Sequence, residues 1–91
     1  MQVRKTIPLG DGHCIEIGTP TWDDSKTQIS IRNRYPTSTG GFSPRSSSEI
    51  PLSDIKHLTI AAAEDNLLGV QEISEMIAAL SHALSRKIKE A

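Results

Sequence analysis

The chain has few aromatic residues, one cysteine and no long apolar run. Its aromatic residues are Trp22, Tyr35 and Phe42, and 36% of its 91 residues are apolar. The single Cys14 excludes an internal disulfide, and no group of cysteines and histidines has the spacing of zinc ligands. No stretch approaches the roughly 20 apolar residues of a transmembrane helix. We therefore expect neither a disulfide scaffold, nor a zinc module, nor a membrane protein.

The N-terminal segment indicates where the protein is located, and the chain length indicates how it assembles. The first six residues are partly charged, and no apolar stretch follows them, which is not the pattern of a signal peptide. We expect a cytoplasmic protein, associated with the nucleoid or, if phage-encoded, in the host cytoplasm. Residues 1–91 make one small domain with a thin core of Ile, Leu and Ala, and such chains often complete their core by pairing with a copy of themselves.

The first half of the chain has the pattern of strands joined by turns. Strands are predicted at residues 2–9, 13–18, 27–35 and 47–52, and Gly10-Asp11-Gly12 predicts a turn between the first two. The third strand alternates, so that Arg32 and Arg34 share one side, and the other side carries Ile29, Ile31, Asn33 and Tyr35, although a terminal residue such as Tyr35 can twist out. An antiparallel sheet with one solvated face is typical of this pattern.

The second half predicts two helices, at residues 54–67 and 70–89, with Asn66 as a stop or kink. The later helix has an apolar stripe with steps of four, three, four and four residues. The fold class is therefore α+β, a sheet followed by helices. Stripes of this kind usually belong to a core or a dimer interface, and a docking site for another protein is the alternative. The interface is assigned to Ile55, Leu58, Ile73, Ile77, Leu80 and Leu84.

The pattern does not predict an enzyme. The histidines, His13, His57 and His82, are not placed with an acid and a nucleophile, and each is more typical of a surface position. Gly40-Gly41 lacks the lysine of a phosphate-binding loop. We expect no catalytic residue, no metal, no cofactor and no small-molecule substrate.

Charge distribution points to nucleic acid, although the net charge is −1. Residues 25–48 contain four basic residues and no acidic one: Lys26, Arg32, Arg34 and Arg45. Two strand residues on one face lie about 7 Å apart, close to the spacing of phosphates along a single strand. Single strands are bound by such cations together with aromatic rings on which bases stack. Ordinary surface arginines and aromatic rings in a minor core remain the alternatives.

Residues 27–60 resemble the positive cofactor four family of single-stranded-DNA-binding coactivators. Ile29, Ile31, Arg32 and Tyr35 match its strand of the type I-x-I-R-x-x-W/Y. The loop and the closing strand match at Gly40, Gly41, Pro44, Arg45, Ile50, Leu52 and Ser53. The chain departs from the family at Ser47-Ser48-Glu49, where a lysine and a glycine are usual, at Pro51, and in its additional last helix. It has no serine-rich acidic tail, and so it resembles the minimal prokaryotic and phage relatives.

The resemblance implies a curved four-stranded antiparallel sheet followed by a helix, and a dimer formed through helices. It implies that Arg32 and Arg45 contact phosphates and that Tyr35 stacks a base, with Lys26 and Trp22 close to similar contacts. The expected function is binding of single-stranded DNA with little sequence preference, in replication, recombination or transcription; the residues do not distinguish DNA from RNA. The full site is Trp22, Lys26, Arg32, Arg34, Tyr35, Phe42 and Arg45. The alternative is a protein-interaction module that uses the apolar stripe.

Overall fold

The structure is a computed structural model that describes residues 1–23, 27–44 and 47–91. Contacts divide the chain into two compact units, Met1–Lys56 and His57–Ala91. We refer to them as the sheet unit and the helical unit. The predicted site residues Lys26 and Arg45 lie outside the described residues.

The sheet unit contains four antiparallel strands in the order β1-β2-β3-β4. The strands are β1 (Gln2–Gly10), β2 (His13–Thr19), β3 (Ser30–Arg34) and β4 (Ser48–Pro51). The β1–β2 turn is at the predicted place, because Gly10 and Gly12 adopt φ angles of 110° and 80° that few other residues tolerate. Together with two helices, this sheet confirms the predicted α+β class.

The prediction that β3 begins at residue 27 is wrong, because the strand begins at Ser30. The backbone N–H of Gln28 donates to the Asp23 carboxylate at 2.6 Å, and the Gln28 side chain accepts from Trp22 Nε1 at 3.2 Å. These local bonds replace ladder bonds, which is how short polar side chains compete with regular structure. Pairing with β2 therefore starts only at Gly18 and Ser30.

The hairpin between β3 and β4 extends beyond Arg34. The N–H of Ser43 donates to the Tyr35 carbonyl at 3.0 Å, and Pro36 and Phe42 form an isolated bridge. In the structure, β4 is one residue shorter at each end than the predicted strand of residues 47–52. This extension places Phe42 next to the end of β3, and residues 37–41 form its tip.

The first predicted helix, residues 54–67, is too long. A 3-10 turn at Leu52–Asp54 contains Ser53 and precedes α1, which spans Ile55–Glu64. Asn66 has a φ of 58°, and the N–H groups of Asn66 and Leu67 donate to the carbonyls of Ala63 and Ala62. These two bonds around a left-handed residue are a Schellman motif. Asn66 is therefore the predicted stop, and the helix ends two residues before it.

The second helix, α2, spans Val70–Glu90, one residue longer than predicted. The Glu72 carboxylate accepts the Gly69 N–H at 3.1 Å, which satisfies one of the donors exposed at a helix N-terminus. Lys87 and Lys89 occupy the last turn, where positive charge complements the helix dipole. Local signals at both ends thus account for the accuracy of this prediction.

No large apolar side chain among the described residues is buried. The polar residues Glu16, Thr19 and Ser30 are buried instead, all of them in the sheet. The side of the sheet that carries Ile15, Ile17, Ile31 and Ile50 is only half-buried. A single copy of this chain therefore leaves each large apolar side chain described here at least partly in contact with water.

Candidate functional site

Strand pairing brings two acidic residues to the side of the sheet that carries Arg32 and Arg34. In the register, Arg32 lies opposite Glu16 of β2 and Glu49 of β4. Directly opposed residues of antiparallel strands project from the same side. We call this side the arginine face. The segment that carries the arginines has no acid of its own, but the face has two.

Glu16 lies at the centre of the arginine face and is only 3% exposed. Its Oε1 accepts from Nε of Arg32 at 2.8 Å and is 2.6 Å from a terminal nitrogen of the same guanidinium. Its Oε2 accepts from a terminal nitrogen of Arg34 at 3.2 Å. One buried carboxylate therefore holds two guanidinium groups side by side.

The ionised state of Glu16 follows from these contacts. Burial raises the pKa of its carboxyl, whereas hydrogen bonds and positive charge from Arg32 and Arg34 lower it. The arginines prevail, and the pKa lies below the ordinary value of 4.5. Glu16 is thus an anion at neutral pH, and the cluster of one glutamate and two arginines carries a net charge of +1.

Phe42 lies against both guanidinium groups. The Arg32 guanidinium carbon is 4.6 Å from the centre of the Phe42 ring, and that of Arg34 is 5.2 Å from it. These distances are in the range of cation–π interactions. The ring remains 38% exposed, because it projects from the hairpin extension beside the sheet. A flat apolar surface and two cations are therefore adjacent.

Tyr35 lies on the side opposite the arginine face. Its ring stacks on His13 with a centroid distance of 4.1 Å and an interplanar angle of 4°. The His13 ring is in turn hydrogen-bonded to Asn33, which alternates with Arg32 and Arg34 along β3. Tyr35 is 38% exposed. The structure therefore does not bring Tyr35 together with the arginines.

Trp22 lies beyond the N-terminal end of β3, where its Nε1 donates to the Gln28 side chain, and the residue is exposed. Glu49 connects this end to the sheet, since its Oε1 accepts from the Thr21 N–H at 3.0 Å and from Ser30 Oγ at 3.2 Å. The described contacts of Glu49 are thus with a backbone amide and a hydroxyl. This distinguishes it from Glu16, whose partners are guanidinium groups.

Sequence reasoning missed Glu16, Glu49 and His13 as members of these clusters. The alternation of residues 13–17 places Cys14 and Glu16 on one side of β2. The connection at residues 20–29 is long, however, and it does not fix which β2 residue faces Arg32. Register across such a connection is decided by the paired strands themselves.

The residues predicted for the dimer interface fall into both units. Ile55 belongs to the sheet unit and is half-buried. In the helical unit, Ile73, Ile77 and Leu80 line a groove of about 180 Å³ between α1 and α2. Leu58 and Leu84 are also exposed. The stripe therefore has an open apolar surface with a depression at its N-terminal half.

Other kinds of site find little support in the described residues. Across residues 1–23, 27–44 and 47–91, no group of His, Cys, Asp and Glu side chains could hold a metal ion. None of the helices described has the length and apolar character needed to cross a membrane.

No family model, no curated protein and no solved structure matches the chain.

Proposed function

We propose that this protein binds single-stranded DNA with little sequence preference, acting as a homodimer. The observation that carries the proposal is the contact of two guanidinium groups with one exposed ring, at 4.6 and 5.2 Å from the Phe42 centroid. Guanidinium groups bind phosphate oxygens, and aromatic rings stack bases of any identity. A nucleotide carries both a phosphate and a base.

The geometry ranks the residues of the proposed site. The Arg34 side chain is 35% exposed and that of Arg32 is 15% exposed, so Arg34 is the more accessible cation. Phe42 shares a face with both arginines, whereas Tyr35 does not. We therefore assign Phe42 rather than Tyr35 to base stacking beside the arginines. Trp22, exposed beyond the N-terminal end of β3, is a candidate for a second stacked base.

Self-association is supported by the exposed apolar surface. Leu80 is 63% exposed and Leu84 is 62% exposed, and neighbouring stripe residues are similar. Removal of such surface from water contributes about 25 cal/mol per Å². A chain that buries no large apolar side chain among its described residues gains most by pairing along this stripe. A second copy supplies a stripe of matching period.

A first experiment titrates a fluorescent oligo-dT of about 20 nucleotides, long enough for at least one site of this kind. The matching duplex and an RNA oligomer are titrated in parallel. Tighter binding of the single strand than of the duplex is expected. With three or four cations engaged, log K falls against log salt with a slope of roughly −2 to −3 per subunit. Binding that is absent at low salt, or independent of salt, contradicts the proposal.

Four variants, one of them a control, test the residue assignments in the same titration. Arg34→Ala should weaken binding of all sequences alike and reduce the salt slope by about 0.7. Phe42→Ala should weaken binding roughly tenfold through loss of stacking, and more than Tyr35→Ala does. Lys89→Ala removes a cation from the helical unit and serves as the control. Equal effects of Arg34→Ala and Lys89→Ala would place the site elsewhere.

The exposed stripe also favours a second candidate, a protein-interaction module. In that case the stripe receives a helix of another protein, and the arginines have a structural role only. A stable dimer that buries Leu80 and Leu84 supports the first proposal. A monomer with an exposed stripe, and no affinity for oligo-dT, supports the second.

A further inference from the structure

Glu16 is an unexpected residue on a surface that binds phosphates, because it places a negative charge between the two cations. It lies below them, however. The Glu16 side chain is 4% exposed, against 15% for Arg32 and 35% for Arg34. A phosphate that approaches from solvent therefore meets the guanidinium groups before it meets the carboxylate.

The contacts of Glu16 leave each guanidinium able to bind a second anion. A guanidinium has five N–H donors. The described contacts with Glu16 involve two nitrogens of Arg32 and one of Arg34. The carboxylate also offsets the repulsion between the two guanidinium groups, which otherwise favours their separation. It thus fixes the rotamers of two long side chains that lose considerable entropy on binding.

We propose that Glu16 is a positioning residue of the nucleic-acid site: it holds Arg32 and Arg34 as a preformed pair and so increases affinity for single-stranded DNA. This inference rests on the proposed function. The proposal requires that removal of a negative charge from this DNA-binding face weakens binding, whereas such a removal ordinarily strengthens it.

Glu49 provides the comparison that separates positioning from charge. It lies opposite Arg32 on the other neighbouring strand, so its removal changes the net charge of the face equally. Its described partners are the Thr21 amide and Ser30. A loss of one half-buried anion near a phosphate should raise affinity about twofold at low salt. Glu49→Gln therefore measures the charge effect alone.

The experiment compares Glu16→Gln and Glu49→Gln in the oligo-dT titration, with far-UV circular dichroism as the check of folding. Glu16→Gln should weaken binding about fivefold or more, since each unfixed arginine loses its preorganisation. Glu49→Gln should leave binding unchanged or make it about twofold tighter. If Glu16→Gln binds as tightly as the parent or more tightly, the carboxylate acts as a competitor of phosphate and the proposal is overturned.

A second comparison, in a background without the two arginines, tests whether Glu16 has a purely structural role. In a chain with Arg32→Ala and Arg34→Ala, the additional change Glu16→Gln should cause no further loss of affinity, because there is no pair left to position; only the charge effect of about twofold tighter binding, as expected for Glu49→Gln, remains. A loss that persists in that background acts through the fold and overturns the proposal.

A second variant covers the case in which Glu16→Gln does not fold. The double change Arg32→Lys and Arg34→Lys keeps both charges and Glu16, but replaces the planar forks by flexible ammonium groups. It should bind about fivefold more weakly than the parent with the same salt slope; unchanged affinity overturns the proposal. If the parent protein does not bind oligo-dT, both the proposed function and the proposed role of Glu16 are contradicted. If the parent binds and the Glu16→Gln variant binds as tightly, only the role of Glu16 is contradicted.

Discussion

Among the described residues, the sheet unit buries three polar side chains and no large apolar one, whereas in the helical unit no residue is buried at all. Glu16, Thr19 and Ser30 have hydrogen-bond partners of specific geometry within the sheet unit. The apolar stripe of α2 has the regular spacing of an interface, but its side chains are exposed. Directional hydrogen bonds thus hold the buried side chains of the sheet unit, whereas the helical unit presents an exposed apolar surface.

The two units therefore differ in how strongly they specify a partner. A carboxylate between two guanidinium groups accepts only partners in the right orientation, because charge-assisted hydrogen bonds of this kind add geometric specificity. Apolar contact is not directional and depends on area. Changes in the sheet unit should accordingly alter local order and ligand binding, and changes in the stripe should alter assembly.

The largest effect is expected from a charge in the stripe. Leu80→Asp removes a large apolar side chain and places a carboxylate at the centre of the proposed dimer interface. Self-association should weaken by at least about 3 kcal/mol, roughly a hundredfold in dissociation constant. Sedimentation velocity over a range of protein concentrations measures the change.

The matched control is His82→Asp, on the opposite side of the same helix. It introduces the same carboxylate two residues away and should leave the association state unchanged. If the two variants associate equally, the stripe is not the interface. A parent that is monomeric at all concentrations contradicts the dimer directly.

The next largest effect is expected at Gly18 in the sheet unit. A Cβ at this position would lie 2.0 Å from the Gln2 carbonyl oxygen, too close for the β1–β2 pair to persist unchanged. Gly18→Ala should reduce the free energy of unfolding by about 3 kcal/mol. Urea denaturation measures this loss, and amide hydrogen exchange should become faster in β1 and β2.

Gly41→Ala serves as the control for Gly18→Ala. A Cβ there meets only the Thr37 hydroxyl oxygen, at 3.4 Å, and its stability should change by less than about 0.5 kcal/mol. Equal stability of the two variants would mean that β1 does not pass Gly18 as closely as the structure indicates.

The smallest effect is expected in the pH dependence of stability. Glu16 has a lowered pKa in the folded chain, so its contribution is fully present above its ordinary value of 4.5. The contribution is lost as pH falls through the lowered pKa, because the unfolded chain then binds the proton more readily. Denaturation between about pH 6 and pH 3 should show a steeper loss for the parent than for Glu16→Gln. Parallel curves would mean that Glu16 is not held by the arginines.

Most of the secondary structure could be predicted because its signals are local. The Gly10–Gly12 turn sets the ends of β1 and β2, and the apolar period together with Gly69 sets α2 within one residue. The two largest errors, at the start of β3 and the end of α1, also have local causes that periodicity does not reveal. Side-chain bonds at Gln28 delay β3, and the Schellman motif around Asn66 ends α1 at Glu64.

The candidate site could be predicted only in part. Arg32, Arg34 and Phe42 were identified from charge and composition, and the structure places them together. The family resemblance groups Tyr35 with them, whereas the alternation of the third strand predicts the opposite side, and there the structure has it stacked on His13. Residues on three strands and a hairpin extension meet here, and their meeting depends on register rather than on spacing along the chain.

By itself the sequence determined the order of strands and helices, the alternation of β3 and the apolar period of α2, since all three depend on residues close together in the chain. Only the tertiary structure decided that Glu16 lies beneath Arg32 and Arg34. Along the chain, Glu16 is 16 positions from Arg32 and 18 positions from Arg34. Strand pairing alone brings them within hydrogen-bond distance. The charge of this face was therefore unknowable before the register was known.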